Sequence, residues 1–118
     1  MWNLERFFRI QTALQKIISE LLVVALIAED GSLLLHAGEN MSDQRLIGTA
    51  TAALARLSDH ISGSLGECDW SDFCIHCQDH SAMFFPVSDG EIFLLVVPSD
   101  LEASSDLRRA IQQVLQHL

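Results

Sequence analysis

The chain has 118 residues, 49% of them hydrophobic, and 16 acidic against 7 basic side chains give it a formal net charge of −9. That length fits one domain, residues 1–118. The negative field and the absence of Lys/Arg clusters argue against nucleic acid and anionic lipid as partners.

The longest uncharged apolar run, Leu21 to Ala28, has eight residues, against roughly 20 for a membrane span. The N-terminus, "MWNLERFFRI", carries charges where a signal peptide is apolar. Three cysteines form no disulfide framework, and together these features lead us to expect a cytoplasmic chain without membrane insertion. A mean hydropathy of +0.26 is high for a small domain, where much surface faces water, and points to apolar surface covered by a partner.

In chain order, Leu4, Phe7, Phe8, Ile10, Leu14, Ile17, Ile18 and Leu21 recur near helical spacing, with Asn3 as a possible cap. "LLVVALIA" reads as a first strand, "EDGS" as a hairpin turn and Leu33–Ala37 as the return strand. A second helix is expected from about Ser42 to Leu65, ending at Gly66. "WSDFCIHC" reads as a third strand, followed by a turn near Asp79–Ser81 and a fourth strand, "AMFFPV". Ser88–Gly90 makes another turn and "EIFLLVV" the fifth strand, stopped by Pro98. A last helix carries Leu107, Ile111, Val114, Leu115 and Leu118 on one stripe, with its cap at Ser99 (paired with Glu102), Ser104 or Ser105. The order is α-β-β-α-β-β-β-α, and short connections between strands make the sheet antiparallel.

The stretch "CIHCQDH", with Cys68 just upstream, raises the question of a metal or redox centre. In a strand, Cys74 and His76 point one way while Ile75 and Cys77 point the other. Zinc needs four converging ligands, usually from two separated pairs. We therefore expect neither metal nor redox dithiol, and read the stretch as an interface strand. His36, His60 and His117 are isolated. Neither a G-x-S-x-G elbow nor a phosphate-binding G-x-x-x-x-G-K-[ST] loop is present. No catalytic residues, cofactor or enzymatic activity are expected.

Strands one, four and five are apolar on both faces, so both faces of the sheet need cover. Five strands span roughly 20–25 Å, and one helix covers about 10 Å. The first and last helices can pair on one face, whereas the middle helix alone leaves about half of the other bare. A second copy of that helix from another subunit would close it. One stripe of the middle helix is bulky (Leu46, Ala50, Ala53, Leu54, Leu57, Ile61, Leu65) and is expected to face the sheet. A neighbouring small stripe, Gly48, Thr51, Ala52, Ala55, Ser58 and Ser62, is expected to meet the partner helix.

The ordered set "LLVVALIAEDGSLLLHAGEN", "IGTATAALARLSDHISGSLG" and "IHCQDHSAMFFPVSDGEIFLLVVP" resembles the roadblock/dynein-light-chain family over roughly residues 20 to 118. The turn "QDHS" lacks the glycine usual there, which leaves the register of strands three and four open. The resemblance implies an α+β fold, with a five-stranded antiparallel sheet between the middle helix and the two terminal helices. It also implies homo- or heterodimers made by side-by-side middle helices and edge pairing of third strands, which adds Trp70, Phe73, Cys74 and His76 to the interface. Bacterial members regulate Ras-like GTPases in polarity and gliding motility, and eukaryotic ones serve as dynein light chains or GTPase scaffolds. The expectation is a non-enzymatic dimeric regulator or scaffold for a small Ras-like GTPase, with Arg45 and Arg56 as possible contacts. Two alternatives are a PAS-like small-molecule sensor and a subunit of a hetero-oligomeric roadblock scaffold.

Overall fold

The computed structural model describes residues 4–18, 20–38, 44–66, 70–87, 90–98 and 105–117. Its elements are α1 (Leu4–Ile17), β1 (Val23–Ile27), β2 (Leu33–Gly38), α2 (Gln44–Ser64), β3 (Phe73–His76), β4 (His80–Pro86), β5 (Ile92–Pro98) and α3 (Ser105–His117). This is the expected α-β-β-α-β-β-β-α order. The candidate caps Asn3, Ser99 and Ser104, the expected helix start Ser42 and the residue Cys68 lie outside the described residues.

The five strands form one antiparallel sheet in the order β2-β1-β5-β4-β3. β1 and β5 occupy its middle and are buried on both faces, as their unbroken apolar runs require. The β1–β2 hairpin turns where Asp30 Oδ1 accepts a hydrogen bond from the Ser32 amide at 2.9 Å. Gly31 there takes a φ of 92°, which a side chain would strain. β3 and β4 pair with Phe73 opposite Phe84 and His76 opposite Ser81. The connection is residues 77–79, bent at 78–79 and closed by the Cys77 amide donating to the His80 carbonyl at 2.9 Å. The turn therefore sits one residue earlier than expected, and β4 begins at His80.

α1 and α3 cover one face. Phe7, Ile10, Leu14 and Ile18 recur at intervals of three and four, forming a stripe that packs with Ile111 and Leu115 on Val24, Leu26, Met83, Phe85, Phe93 and Leu95. Phe7 lies parallel to Phe93, with centroids 5.9 Å apart. The other apolar residues of α1 do not join this core: Leu4, Phe8 and Ile17 are exposed. α2 lies on the opposite face, over Val23, Ala25, Ile27, Phe84, Ile92 and Leu94.

Candidate interaction surface

α2 meets the sheet through its small residues. Thr51, Ala52 and Ser62 are buried, as is Gly48, and Ala55 packs on the second core. This reverses the orientation expected from sequence. The cause is close approach: a Cβ at Gly48 would overlap the carbonyl oxygen of Gly31 in the β1–β2 turn. The sheet beneath is already bulky with Phe84, Ile92 and Leu94, so the helix comes down on the stripe that lets it come closest. Its hydroxyls are satisfied locally, with Thr51 Oγ1 donating to the Ile47 carbonyl at 2.7 Å and Ser58 Oγ to that of Leu54 at 2.9 Å. Such back-bonding lets a hydroxyl be buried without an unpaired donor.

Gly48, Thr51, Ala52 and Ser62, expected to touch a partner helix, are thus consumed inside the subunit, and Ala55 and Ser58 are half-buried there. The bulky stripe takes the outward position. Leu46 is 63% exposed, Leu57 56%, Ile61 60% and Leu65 75%, with Ala50 and Ala53 also exposed between them. Spacings of three and four place all six along one seam of the helix.

Beside this seam the sheet is bare. An open groove of about 480 Å³ runs between α2 and strands β5, β4 and β3, lined by Ile47, Leu54, Ile75, Ala82, Phe84 and Val96, with Cys77 and His80 at its rim. Beyond it lies β3, an edge strand with no neighbour on its outer side among the described residues. β3 is held on both faces. Trp70 packs on Phe73 at 5.2 Å, Phe73 stacks on Phe84 at 4.5 Å, and Trp70 Nε1 donates to Asp59 of α2 at 2.8 Å. On the α3 side, Arg108 lies 3.8 Å from Asp72 and Gln112 Nε2 donates to the Ser71 carbonyl at 3.2 Å. An edge strand fixed this way presents its free backbone groups without fraying.

The strand geometry separates the cysteines. Cys74 packs against the α1/α3 core and Cys77 lines the groove on the opposite face. Burial pushes the Cys74 thiol above its ordinary value; Asp72 adds to this and Arg108 opposes it. His76 Nδ1 lies 3.1 Å from Ser81 Oγ. Among the described residues no three His, Cys, Asp or Glu side chains converge as metal ligands. His36 is half-buried in β2 and His60 is exposed on α2. Arg45 and Arg56 are both exposed, and their separation of three helical turns, about 16 Å, puts them on one line beside the apolar seam. Neither has an ion-pair partner among the described residues. No described helix is long and apolar enough to cross a membrane.

No protein-family profile matches the chain, and no curated protein sequence does. Solved structures do. Myxococcus xanthus MglB superposes with a TM-score of 0.75 at 19% identity, over 93% of this chain and 91% of its own. A Roadblock/LC7 domain from Streptomyces avermitilis gives 0.74 at 11% identity, over 89% and 88%. The gliding protein MglB from Thermus thermophilus gives 0.70 at 13% identity, over 100% and 96%. These TM-scores with near-complete mutual coverage settle the fold: the chain is roadblock-like and carries the fold of the roadblock/LC7 domains.

Proposed function

We propose that the chain acts as a homodimer that binds a small Ras-like GTPase and biases its nucleotide cycle or placement, without catalytic chemistry of its own. One observation carries the dimer: an exposed Leu46–Leu57–Ile61–Leu65 seam lies beside a bare apolar groove and a free β3 edge. A second α2 laid against the first fills the groove, buries both seams and lets the two β3 edges pair. Ala50 and Ala53 at the centre of the seam let the helices approach closely. Each Leu or Ile fully removed from water contributes about 1.5–3 kcal/mol. The interface thus shifts from the small stripe to the bulky one, while β3 keeps its part through Phe73, Cys74 and His76.

The GTPase as partner rests on the resemblance to bacterial gliding regulators, supported by the physics of this surface. The chain has no phosphate loop, so nucleotide chemistry must come from the partner. Two α2 helices side by side form a platform edged by Arg45 and Arg56 of both subunits, where a partner's phosphates or carboxylates could be met. The dimer's doubled negative charge speeds encounter with a basic patch and makes it salt-dependent.

The test has two stages. Sedimentation of the purified chain should show a dimer at micromolar concentration; a stable folded monomer there refutes the seam. The dimer is then titrated with GTPases of its own organism, loaded with GTP analogue or GDP, at low salt. Binding tighter than about 100 μM in one state supports the reading. A dimer that binds none of them refutes the GTPase partner and leaves the assembly standing. A related chain retained at equal stoichiometry from native lysate would replace the homodimer by a heteromer.

A further inference from the structure

The outer face of α1 lies on the opposite side of the sheet from α2, and its reading stands independently of the dimer. Leu4 and Phe8 are 55% and 48% exposed there although both are large and apolar. They belong to a row, Leu4–Phe8–Thr12–Lys16, that runs along the helix at intervals of four. A neighbouring row, Glu5–Arg9–Ala13, follows it, and the two rows line one shallow groove. Thr12 Oγ1 is spent on the Phe8 carbonyl at 2.9 Å, so it offers the groove no free donor. A channel between two i+4 rows is the shape into which the side-chain ridge of another helix fits. From Leu4 to Lys16 it runs about 18 Å, or three helical turns.

Charge selects the occupant. α1 and α3 carry Arg6, Arg9, Lys16, Arg108 and Arg109 against Glu5 and Asp106, a net of +3, while all other residues together carry −12. This layer carries more positive charge than α2, where Arg45 and Arg56 stand against Asp59, in a chain that is otherwise acidic. Arg9 and Lys16 have no ion-pair partner among the described residues. A second α1 in the groove would bring the same cations against them, so self-pairing is opposed. An anionic bilayer is repelled by the rest of the molecule, and the apolar strip is short, interrupted by Thr12 and flanked by Glu5.

We propose that this groove is a docking site for an amphipathic helix of a partner protein, one with an apolar stripe and acidic flanking residues. The helix lays its apolar stripe over Leu4, Phe8 and the Thr12–Ala13 step, with its acidic side toward Arg9 and Lys16.

The probe is a labelled 18-residue amphipathic helical peptide with leucines along one face and glutamates beside them, compared with a lysine-flanked counterpart. Fluorescence anisotropy with the full chain should show the acidic peptide binding more tightly than about 100 μM at low salt and roughly tenfold more weakly at 0.5 M salt. The lysine version should not bind. Phe8→Ser and the double variant Arg9→Glu/Lys16→Glu should each lose at least about tenfold. These side chains are exposed, so circular dichroism should report intact folds; if Phe8→Ser unfolds, the charge-reversed pair still decides the matter. Failure of the acidic peptide to bind at about 1 mM overturns the proposal. So does equal binding of the lysine peptide, or binding indifferent to both variants. Phe8-dependent flotation with phosphatidylserine vesicles would assign the face to a membrane, and Phe8-dependent self-association would assign it to a second copy.

Discussion

Gly48 and Gly63 lie in the same helix and meet opposite surroundings. At Gly48 an added Cβ would overlap the Gly31 carbonyl oxygen, whereas at Gly63 it would meet nothing within 4 Å. Alanine has the higher helix propensity at both positions, by about 1 kcal/mol. Thermal melts should therefore separate them. Gly63→Ala should stabilise by about 0.5–1 kcal/mol, and Gly48→Ala should destabilise by about 1–3 kcal/mol because backbone must move. Equal shifts would mean α2 does not dock where described. The cysteines divide in a similar way. The folded state favours the neutral Cys74 thiol, so between the unfolded value, about 8.5, and the higher folded one the unfolded chain releases its proton first. Stability conferred by Cys74 is therefore complete below about pH 8.5 and falls as pH rises toward the folded value. The side chain is only partly buried, so the effect is screened and small. The chain has no tyrosine and Lys16 is its single lysine, which leaves few competing titrations. In a monomeric variant such as Ile61→Arg, iodoacetamide at pH 8 should reach exposed Cys77 before Cys74, read by peptide mass mapping.

At the level of elements, α2 is where the sequence is most ambiguous. It carries two stripes, bulky and small, and either can face a sheet. One chain's sequence does not say which stripe its own core takes and which is left for a partner, because the two environments are equally dry once assembled. Gly48 against Gly31 decides it, and that contact is tertiary. Ile61→Arg should leave the subunit's melting nearly unchanged once monomeric and weaken the dimer by about 100-fold or more, since a charge would be buried unpaired. Ala55→Arg, on the half-buried side, should instead unseat α2 and lower subunit stability by several kcal/mol. Sedimentation paired with denaturant melts distinguishes the two, and the opposite pattern would restore the small stripe as the interface. β1, β4 and β5 were legible because runs apolar on both faces fit only strands covered on both sides. β3 was legible as a strand but not in its register, since Gln78–Asp79 lacks the glycine that marks such a turn. The exposure of Leu4 and Phe8 was not legible, because periodicity assigns a helix face without saying how wide the covered stripe is.

Across the whole molecule, order, layering and the half-bare sheet face beside α2 followed from pattern, and which helix stripes turn outward did not. What lies over α2 or α1 depends on other chains, and their complementarity is written in other sequences. The sheet order has a further consequence, for the way the chain is born. Its two central strands come from opposite ends of the sequence: β1 pairs with β5 from Val23–Val96 to Ile27–Ile92. The β1–β2 and β3–β4–β5 hairpins are local and can form early. The seam joining them waits for β5, and closing the intervening loop costs on the order of 4 kcal/mol in chain entropy. The same wait applies to α1, whose stripe rests on Phe93 and Leu95 of β5. A growing chain that has completed β1 therefore carries an open strand edge, apolar on both sides, until most of the polypeptide has been made. Such an edge is a template for wrong pairing. The hazard of aggregation is thus concentrated in synthesis, and it ends in a single step when β5 takes its place between β1 and β4.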